Sequence, residues 1–135
     1  MITGFTSGCF DLIHYGHLKY LQRCKELCNT LIVGIDSDKL VREFKGPLRP
    51  IIPALERLSL VKSLSMVDKA FIVYELSSLT NICQDFRVDK VFKHEGYKQM
   101  DFIYGVDDTS AELVIVPDIP GLRSTTWIIN QIKTK

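Results

Sequence analysis

A chain of 135 residues with 17 basic and 16 acidic side chains carries a formal net charge of +1, which excludes general electrostatic attraction to nucleic acid or to a membrane surface. At 46% hydrophobic and 24% charged, the composition is that of a soluble globular protein, and the length suits one domain over residues 1–135. No apolar run approaches the roughly 20 residues of a membrane helix, and the N-terminus lacks signal-peptide features, so we expect a cytoplasmic protein.

The first half of the chain alternates strand and helix patterns. A strand is predicted over 3–7, followed by an amphipathic helix over 15–28. Residues 30–35 read TLIVGI, an almost unbroken apolar run typical of a parallel strand covered on both faces. The polar stretch 36–52 is predicted mostly as a long loop, with room for one helical turn at its start.

The second half continues the same alternation. Pro53 suits the first position of a helix, for which we predict a buried face of Leu55, Leu58, Val61 and Leu64. Further strands are predicted over 70–73, 88–92 and 113–116, and another helix carries Leu79, Ile82, Cys83 and Phe86 on one face. Ser124 is a suitable N-cap for a last helix that carries Ile128, Ile129 and Ile132.

This alternation predicts an α/β fold, a Rossmann-like parallel sheet of about five strands with helices on both faces. In such sheets ligands bind beyond the carboxyl ends of the strands. Unusual polar residues should therefore cluster just after strands, and they do. The four cysteines lie within apolar patterns, which favours buried free thiols: Cys9, Cys24, Cys28 and Cys83.

The most informative segment follows the first strand and reads GCFDLIHYGH, from Gly8 to His17. Gly16 lets a ligand approach the start of the predicted helix, because no side chain stands in the way. A helix start presents unpaired backbone N–H groups that attract phosphate, and His14 and His17 add imidazole donors beside it. Alone, two histidines at a helix start are ordinary polar residues, but the neighbouring glycines favour a phosphate site.

Two other interpretations have less support from the sequence, one of the histidines and cysteines and one of two basic residues further along the chain. Zinc binding by His14, His17, Cys24 and Cys28 is disfavoured, because the histidines lie roughly 10 Å or more along the same helix from the cysteines. Lys45 and Arg49, in the predicted loop, are residue types that bind phosphate but also occur in ordinary solvated loops.

The segment resembles the nucleotidyltransferase signature of the cytidylyltransferase-like superfamily, G-x-F-D-x-x-H-x-G-H, in all six fixed residue types. Residues 44–51 (FKGPLRPI), followed by Glu56-Arg57, are similar to the adenylyltransferase domain that makes ADP-heptose in bacteria. The glycerol-3-phosphate cytidylyltransferases are less similar here. Residues 121–126 (GLRSTT) resemble the family's Gly-x-Ser-Thr-Thr element with Arg123 as one extra residue.

The resemblance implies transfer of a nucleotidyl group to a phosphorylated small molecule with release of pyrophosphate, in an enzyme that requires Mg²⁺. It assigns catalysis to His14, His17, Lys45 and Arg123. It assigns nucleotide binding to Gly8, Cys9, Phe10, Gly16, Ser124, Thr125 and Thr126, and substrate binding to Asp11, Arg57, Lys93 and Glu95. Asp11 is also the expected contact to a magnesium shell, and a homodimer is expected from the family.

The match weakens at residues 93–97 (KHEGY), where the family usually has a Gly-Gly-Asp-Tyr or Gly-Asp-Asp-Trp type of segment. Gly96 stands at the aspartate position, and Glu95 is one residue out of register. Three functions therefore stay open from sequence. The leading one uses ATP and heptose 1-phosphate, the second uses CTP and glycerol 3-phosphate or a similar polyol phosphate, and the third is nucleotide binding without catalysis.

Overall fold

Five parallel strands form one sheet, with the order β3-β2-β1-β4-β5 across it. A computed structural model describes residues 1–97, 102–118 and 123–134. Its strands are β1 (Thr3–Gly8), β2 (Thr30–Asp36), β3 (Lys69–Val73), β4 (Lys90–His94) and β5 (Glu112–Val116). The strand order reverses direction beside β1, and such switch points are where open α/β sheets bind ligands. The predicted fold class is confirmed.

Five helices connect or follow these strands: α1 (Tyr15–Glu26), α2 (Asp38–Lys45), α3 (Ala54–Lys62), α4 (Ser78–Asp85) and α5 (Thr125–Thr134). One apolar cluster joins the sheet to α1 and α3 through Leu21, Cys24 and Val61. A second cluster joins the sheet to α2 and α4 through Leu40, Leu79 and Cys83. Because side chains alternate along a strand, Phe92 belongs to the first cluster and Val91 to the second, so the two clusters lie on opposite faces.

The stretch after β2 is more ordered than the sequence predicted. Residues 38–45 form α2, a helix of eight residues rather than one turn in a loop. Ser37 caps it by accepting a hydrogen bond from the Leu40 N–H at 3.2 Å, and Leu40 and Val41 are buried. The polar composition concealed this helix, because its apolar face is only two residues wide.

The predicted buried face of α3 is partly wrong. Leu55 is 73% exposed, whereas Ala54, Arg57 and Val61 are the buried residues of this helix. The helix is rotated because Arg57 points inward to satisfy backbone carbonyls, which no apolar pattern could predict. Ile132 of α5, expected on a buried face, is also exposed.

Strand β4 begins two residues later than predicted, at Lys90 rather than at residue 88. Val88 is buried in the turn that precedes the strand, so the apolar pattern started too early. The shift moves Lys93 and His94 into the carboxyl end of β4, at the ligand-binding edge of the sheet. No helix within the described ranges is long and apolar enough to span a lipid bilayer.

Candidate active site

The connection from β1 to α1 turns sharply and brings an aromatic ring over the end of the strand. Phe10 and Leu12 adopt left-handed backbone conformations, with φ of 52° and 49°. The ring of Phe10 is 5% exposed, and a Cβ atom on Gly8 would lie only 3.1 Å from it. The same ring packs against His17 with ring centroids 5.5 Å apart. Glycine at position 8 therefore lets Phe10 fold back and support the second histidine.

The two imidazoles of the signature lie side by side at the start of α1, with ring centroids 4.0 Å apart. His14 Nδ1 accepts a hydrogen bond from the Gly16 N–H at 3.0 Å, and His17 Nδ1 accepts one from the His14 N–H at 3.2 Å. A nitrogen that accepts from an amide carries no proton in the neutral ring, so Nε2 of each ring is the N–H donor. The backbone thus prepares two neighbouring donors at the helix start.

Both histidines are held neutral. Burial is the main cause that lowers the pKa of His17 to about 4, and the neighbouring His14 and Lys45 contribute to this shift against the opposing charge of Asp11. Burial also lowers the pKa of His14. At neutral pH each ring therefore presents an uncharged N–H group to a ligand, and a bound anion would favour protonation of either ring.

Gly16 allows the last helix to approach this pair. A Cβ atom at this position would lie 2.8 Å from the His14 ring and 3.3 Å from the Arg123 carbonyl oxygen. The Thr125 hydroxyl donates to the Asp11 carbonyl oxygen at 2.8 Å, which fastens the start of α5 to the same connection. The starts of α1 and α5 are therefore neighbours, and the structure brings His14 and Ser124 to one end of the sheet.

Hydroxyl groups line the start of α5 as expected. The Ser124 Oγ accepts a hydrogen bond from the Trp127 N–H at 3.0 Å, which confirms Ser124 as the N-cap. Within residues 1–97, 102–118 and 123–134, its own O–H has no acceptor. Thr126 is exposed, and the guanidinium of Arg123 lies over the Trp127 ring, 5.0 Å from the centroid. Gly121 and Leu122 of this element lie outside the described residues.

Lys45 is exposed at the end of α2, and its positive charge contributes to the lowered pKa of His17. Burial is the main cause of the lowered pKa values of His17 and His94, and the charge of Lys45 contributes to both. A charge that acts on both rings lies near the carboxyl edge of the sheet. The site then combines neutral donors with an exposed positive charge.

Asp11 has a structural role that could not be predicted from its position in the signature, because its carboxylate binds the segment before α3. Its side chain is fully buried and accepts hydrogen bonds from Arg49 Nε at 3.1 Å, Ile51 N–H at 2.8 Å and Ile52 N–H at 2.9 Å. Burial alone would raise the pKa of Asp11, but these hydrogen bonds outweigh it and lower the pKa. The expected contact to magnesium or acceptor does not fit, because the carboxylate is buried and accepts three hydrogen bonds from the protein.

Arg57 is also engaged within the protein rather than open to a substrate. Its side chain is 0% exposed. Its guanidinium donates to the carbonyl oxygens of Ile52 at 2.8 Å and Cys9 at 2.6 Å, and to Asp38 Oδ1 at 2.8 Å. The expected substrate contact of Arg57 is therefore replaced by a structural role, in which it ties α3 to the end of β1 and to α2. The Cys9 carbonyl is likewise used by this tie.

Residues 93–97, which depart from the family pattern, include the end of β4 and are hydrogen-bonded to the residues that follow β5. Glu95 is exposed, and its Oε2 accepts a hydrogen bond from the Asp118 N–H at 3.0 Å. The Gly96 N–H donates to His94 Nδ1 at 3.1 Å, the same local arrangement as at His14. Glu95 therefore links the ends of two strands, whereas Lys93 lies half-buried at the edge of the sheet.

Asp36, the last residue of β2, was not singled out from sequence. Burial raises the pKa of Asp36 to about 6, against the opposing charges of Lys93, Arg57 and Lys45. An acidic residue that directly ends an apolar strand was the available signal. In the described parts of the chain, no group of three or more His, Cys, Asp or Glu side chains is arranged to hold a metal ion.

The parallel sheet with two oriented imidazole donors beside two helix starts agrees with the nucleotidyltransferase signature, and the comparisons with known proteins place the chain in that class. The chain belongs to the cytidylyltransferase-like family, whose pattern it matches over residues 5–132. The resemblance inferred from the signature is thereby confirmed.

Two bacterial relatives carry the name bifunctional protein HldE. The protein from a Nitratiruptor species is 36% identical over 130 residues, and the match covers 96% of this chain and 27% of the relative. The protein from Helicobacter pylori is 41% identical over 129 residues, with the same two shares. The chain thus spans about a quarter of the length of these relatives.

A solved structure has the same fold. The crystal structure of the lipopolysaccharide core biosynthesis protein from Thermoplasma volcanium superimposes with a TM-score of 0.73 at 26% identity. The superposition covers 88% of this chain and 97% of the other.

Proposed function

We propose that the chain transfers an adenylyl group from ATP to a sugar phosphate of the heptose 1-phosphate type and releases pyrophosphate. The observation that carries this proposal is the pair of neutral imidazoles, His14 and His17, whose Nδ1 atoms accept from the backbone so that Nε2 is the N–H donor of each ring, beside the start of α5. The resemblance of residues 44–51 to ADP-heptose adenylyltransferases supports ATP as the nucleotide, and the similarity to HldE proteins supports a heptose phosphate as the acceptor.

The reaction needs positioning more than covalent catalysis. A phosphate oxygen of the acceptor attacks the α-phosphorus and forms a new P–O bond, while the bond from that phosphorus to the bridging oxygen of the β-phosphate breaks. The electron pair of the broken bond stays on pyrophosphate. The acceptor phosphate is already an anion near neutral pH, so no enzyme base is required, and the two anions must be held together against their repulsion.

The residues of the site divide this task. The Nε2–H groups of His14 and His17 donate to oxygens of the α-phosphate, where charge grows as the bond breaks. Lys45 neutralises charge on the α-phosphate or the departing oxygen. The Ser124 hydroxyl, the free N–H groups of α5 and Arg123 hold the outer phosphates.

Mg²⁺ is proposed to enter the site with the triphosphate. The donor set does not fit a metal site built by the protein, since Asp11 is buried and accepts three hydrogen bonds from the protein, and the described residues hold no cluster of ligands. Magnesium commonly keeps its waters and binds mainly through substrate phosphates, which agrees with this arrangement.

The test is pyrophosphate release with a panel of four pairs, in which ATP or CTP is combined with heptose 1-phosphate or glycerol 3-phosphate. We expect the highest kcat/KM with ATP and heptose 1-phosphate. Higher activity with CTP and glycerol 3-phosphate would establish the second candidate instead. Tight triphosphate binding without pyrophosphate release from any pair would contradict catalysis and leave nucleotide binding as the function.

The chain is further proposed to act in the cytoplasm as a homodimer. Four free thiols suit a reducing compartment, and the exposed Leu55 and Leu60 of α3 provide apolar surface for a second copy. Sedimentation analysis should give twice the chain mass of 15.4 kDa, and a species of one chain at micromolar concentration would contradict the dimer.

A further inference from the structure

Arg123 precedes α5 at a point where the backbone is fixed by its neighbours. Its carbonyl oxygen lies against the start of α1, since a Cβ atom on Gly16 would be only 3.3 Å from it. The next two residues are held as well, because Ser124 caps α5 and the Thr125 hydroxyl donates to the Asp11 carbonyl oxygen at 2.8 Å. The position of Arg123 is therefore set, and only the direction of its long side chain remains to be determined.

The ring of Trp127 gives this side chain a direction. The guanidinium carbon of Arg123 lies over the ring, 5.0 Å from its centroid, which is within the roughly 6 Å of a cation–π contact. Among the described residues, no carboxylate lies within 4.0 Å of the Arg123 guanidinium. An aromatic face, rather than an ion pair between these residues, therefore orients the charge.

The ring also places the charge at the end of α5 that attracts anions. Trp127 is the third residue of this helix, and side chains of a helix lean toward its N-terminal end. The ring therefore lies beside the first turn, where unpaired backbone N–H groups attract phosphate. A guanidinium held on the ring is at the same end of the helix as these donors, and it can bind a phosphate with two hydrogen bonds.

The contact prepares Arg123 for an anion at a modest gain in affinity. An arginine side chain has many rotamers, and it loses this freedom when it binds a ligand. A ring that already holds the guanidinium reduces the entropy that is lost on binding. Trp127 is 43% exposed, so water weakens the cation–π contact. Loss of the ring should therefore change affinity severalfold and should not abolish binding.

We propose that Trp127 is a positioning residue, whose ring holds the Arg123 guanidinium where it binds the outer phosphates of the triphosphate. The inference rests on the proposed function, which gives Arg123 this ligand. Arg123 is the extra residue relative to the family's Gly-x-Ser-Thr-Thr element, so the pair is a feature of this sequence and not of that element. If the ring instead kept the guanidinium away from the phosphates, its removal would change affinity in the opposite direction.

The test is a double-mutant cycle of Trp127→Leu, Arg123→Met and the variant that carries both changes. Calorimetric Kd values are measured in the presence of Mg²⁺ for ATP, for inorganic pyrophosphate and for AMP, which lacks the outer phosphates. Trp127→Tyr retains an aromatic face and serves as the rescue variant. Lys69→Met is the matched control, because Lys69 lies 5.3 Å from the centroid of the Phe86 ring at the amino end of β3, the opposite edge of the sheet.

We expect Trp127→Leu to raise the Kd values of ATP and pyrophosphate about two- to fivefold and to leave the Kd of AMP unchanged. Arg123→Met should raise the same two values about tenfold or more. In the Arg123→Met background, loss of the ring should have no further effect, because the ring acts through the guanidinium. Trp127→Tyr should restore most of the affinity, and Lys69→Met should match the wild type.

Fluorescence tests the contact without any ligand. Trp127 is the single tryptophan of the chain, so its emission reports directly on the surroundings of this ring. Arg123→Met should change the emission of the free protein, whereas Lys69→Met should not. Identical emission of Arg123→Met and the wild type would overturn the proposal, since the guanidinium would then not rest on the ring.

The sign and the coupling of the Kd changes decide the rest. Lower Kd values in Trp127→Leu would overturn the proposal, because the ring would then restrain Arg123 away from the phosphates. Unchanged values, equal increases with and without Arg123, or a similar increase for AMP would overturn it as well. Binding of ATP without pyrophosphate release would contradict only the proposed function, whereas a wild type that binds neither ATP nor pyrophosphate would overturn both.

Discussion

At the residue scale, the site depends on how the backbone orients each imidazole. A histidine in solution exchanges its proton between two nitrogens, but His14 and His17 each have Nδ1 committed to a backbone N–H. The proton then resides on Nε2, and burial keeps both rings uncharged. Two donors with fixed direction can stabilise developing charge without reorganising during the reaction.

Replacing His17 should therefore impair catalysis rather than folding. We expect His17→Ala to lower kcat by about 10²–10³, because one oriented donor to the α-phosphate is lost. His17→Asn retains an amide donor and should recover part of the rate. Stopped-flow pyrophosphate release is the measurement, and Glu26→Ala at the exposed end of α1 is the control. A near-normal rate in His17→Ala would contradict the role given to this ring.

Gly16→Ala tests whether the glycine positions the first histidine. The new Cβ would lie 2.8 Å from the His14 ring, so the ring must move and lose its hydrogen bond from Gly16. We expect kcat to fall at least tenfold with a change in Tm of only a few degrees, because a side chain moves more easily than backbone. Gly96→Ala is the matched control, since its Cβ would lie 3.4 Å from the His94 ring, an ordinary contact. Equal effects of the two substitutions would refute this explanation.

At the scale of elements, the wall of the site is held by two buried polar residues. Asp11 collects two backbone N–H groups and Arg49 from the connection before α3, while Arg57 fastens α3 to Cys9 and Asp38. Together they fix the segment between α2 and α3 against the β1–α1 connection. From the sequence, Asp11 and Arg57 were predicted to contact a ligand. A signature does not show whether the hydrogen-bond partners of a charged residue come from the protein or from the substrate.

Arg57→Met should consequently lower the free energy of unfolding and leave substrate binding unchanged. The change keeps most of the side-chain volume but leaves the carbonyls of Cys9 and Ile52 and the carboxylate of Asp38 without this donor. We expect a loss of about 3 kcal/mol in the free energy of unfolding by urea titration. Arg42→Met, on the exposed side of α2, should change little. A large rise in KM with unchanged stability would return Arg57 to a substrate role.

At the scale of the whole molecule, two partly buried groups, His17 and Asp36, affect folding in opposite directions when they bind a proton. His17 has a pKa of about 4 in the fold against 6.5 ordinarily, so between these values the unfolded chain binds the proton and stability falls as the pH falls. Asp36 has a pKa of about 6 against 3.8, so the folded chain binds the proton and stability rises as the pH falls. Each effect is on the order of 2 to 3 kcal/mol.

Single variants should separate these opposing effects. Between pH 7.5 and pH 4.5, His17→Asn should lose less stability than the wild type, because the unfavourable protonation has been removed. Asp36→Asn should lose more, because the favourable protonation has been removed. Urea titrations at the two pH values measure both differences, and parallel behaviour of the two variants would contradict the assigned pKa shifts.

Helices and strands with a long apolar pattern could be predicted from the sequence. Features that depend on capping or on contacts between distant segments could not. The apolar run of β2 and the helical periodicity of α1 identified both elements within two residues of their observed ends. Helix α2 was missed because its stability comes from Ser37 capping and two buried residues. The inward turn of Arg57 and the late start of β4 were missed for the same reason, since each follows from contacts between distant segments.

The sequence by itself determined the parallel α/β architecture and the family, and it predicted phosphate binding by the His14–His17 segment, because periodicity and a local signature are properties of neighbouring residues. Only the tertiary structure decided that Asp11 and Arg57 are satisfied by the protein. Whether a charged side chain is free to bind a ligand depends on hydrogen-bond partners that are distant in the sequence. Ile52 is 41 residues from Asp11, and Cys9 is 48 residues from Arg57. That information exists only once the chain has folded.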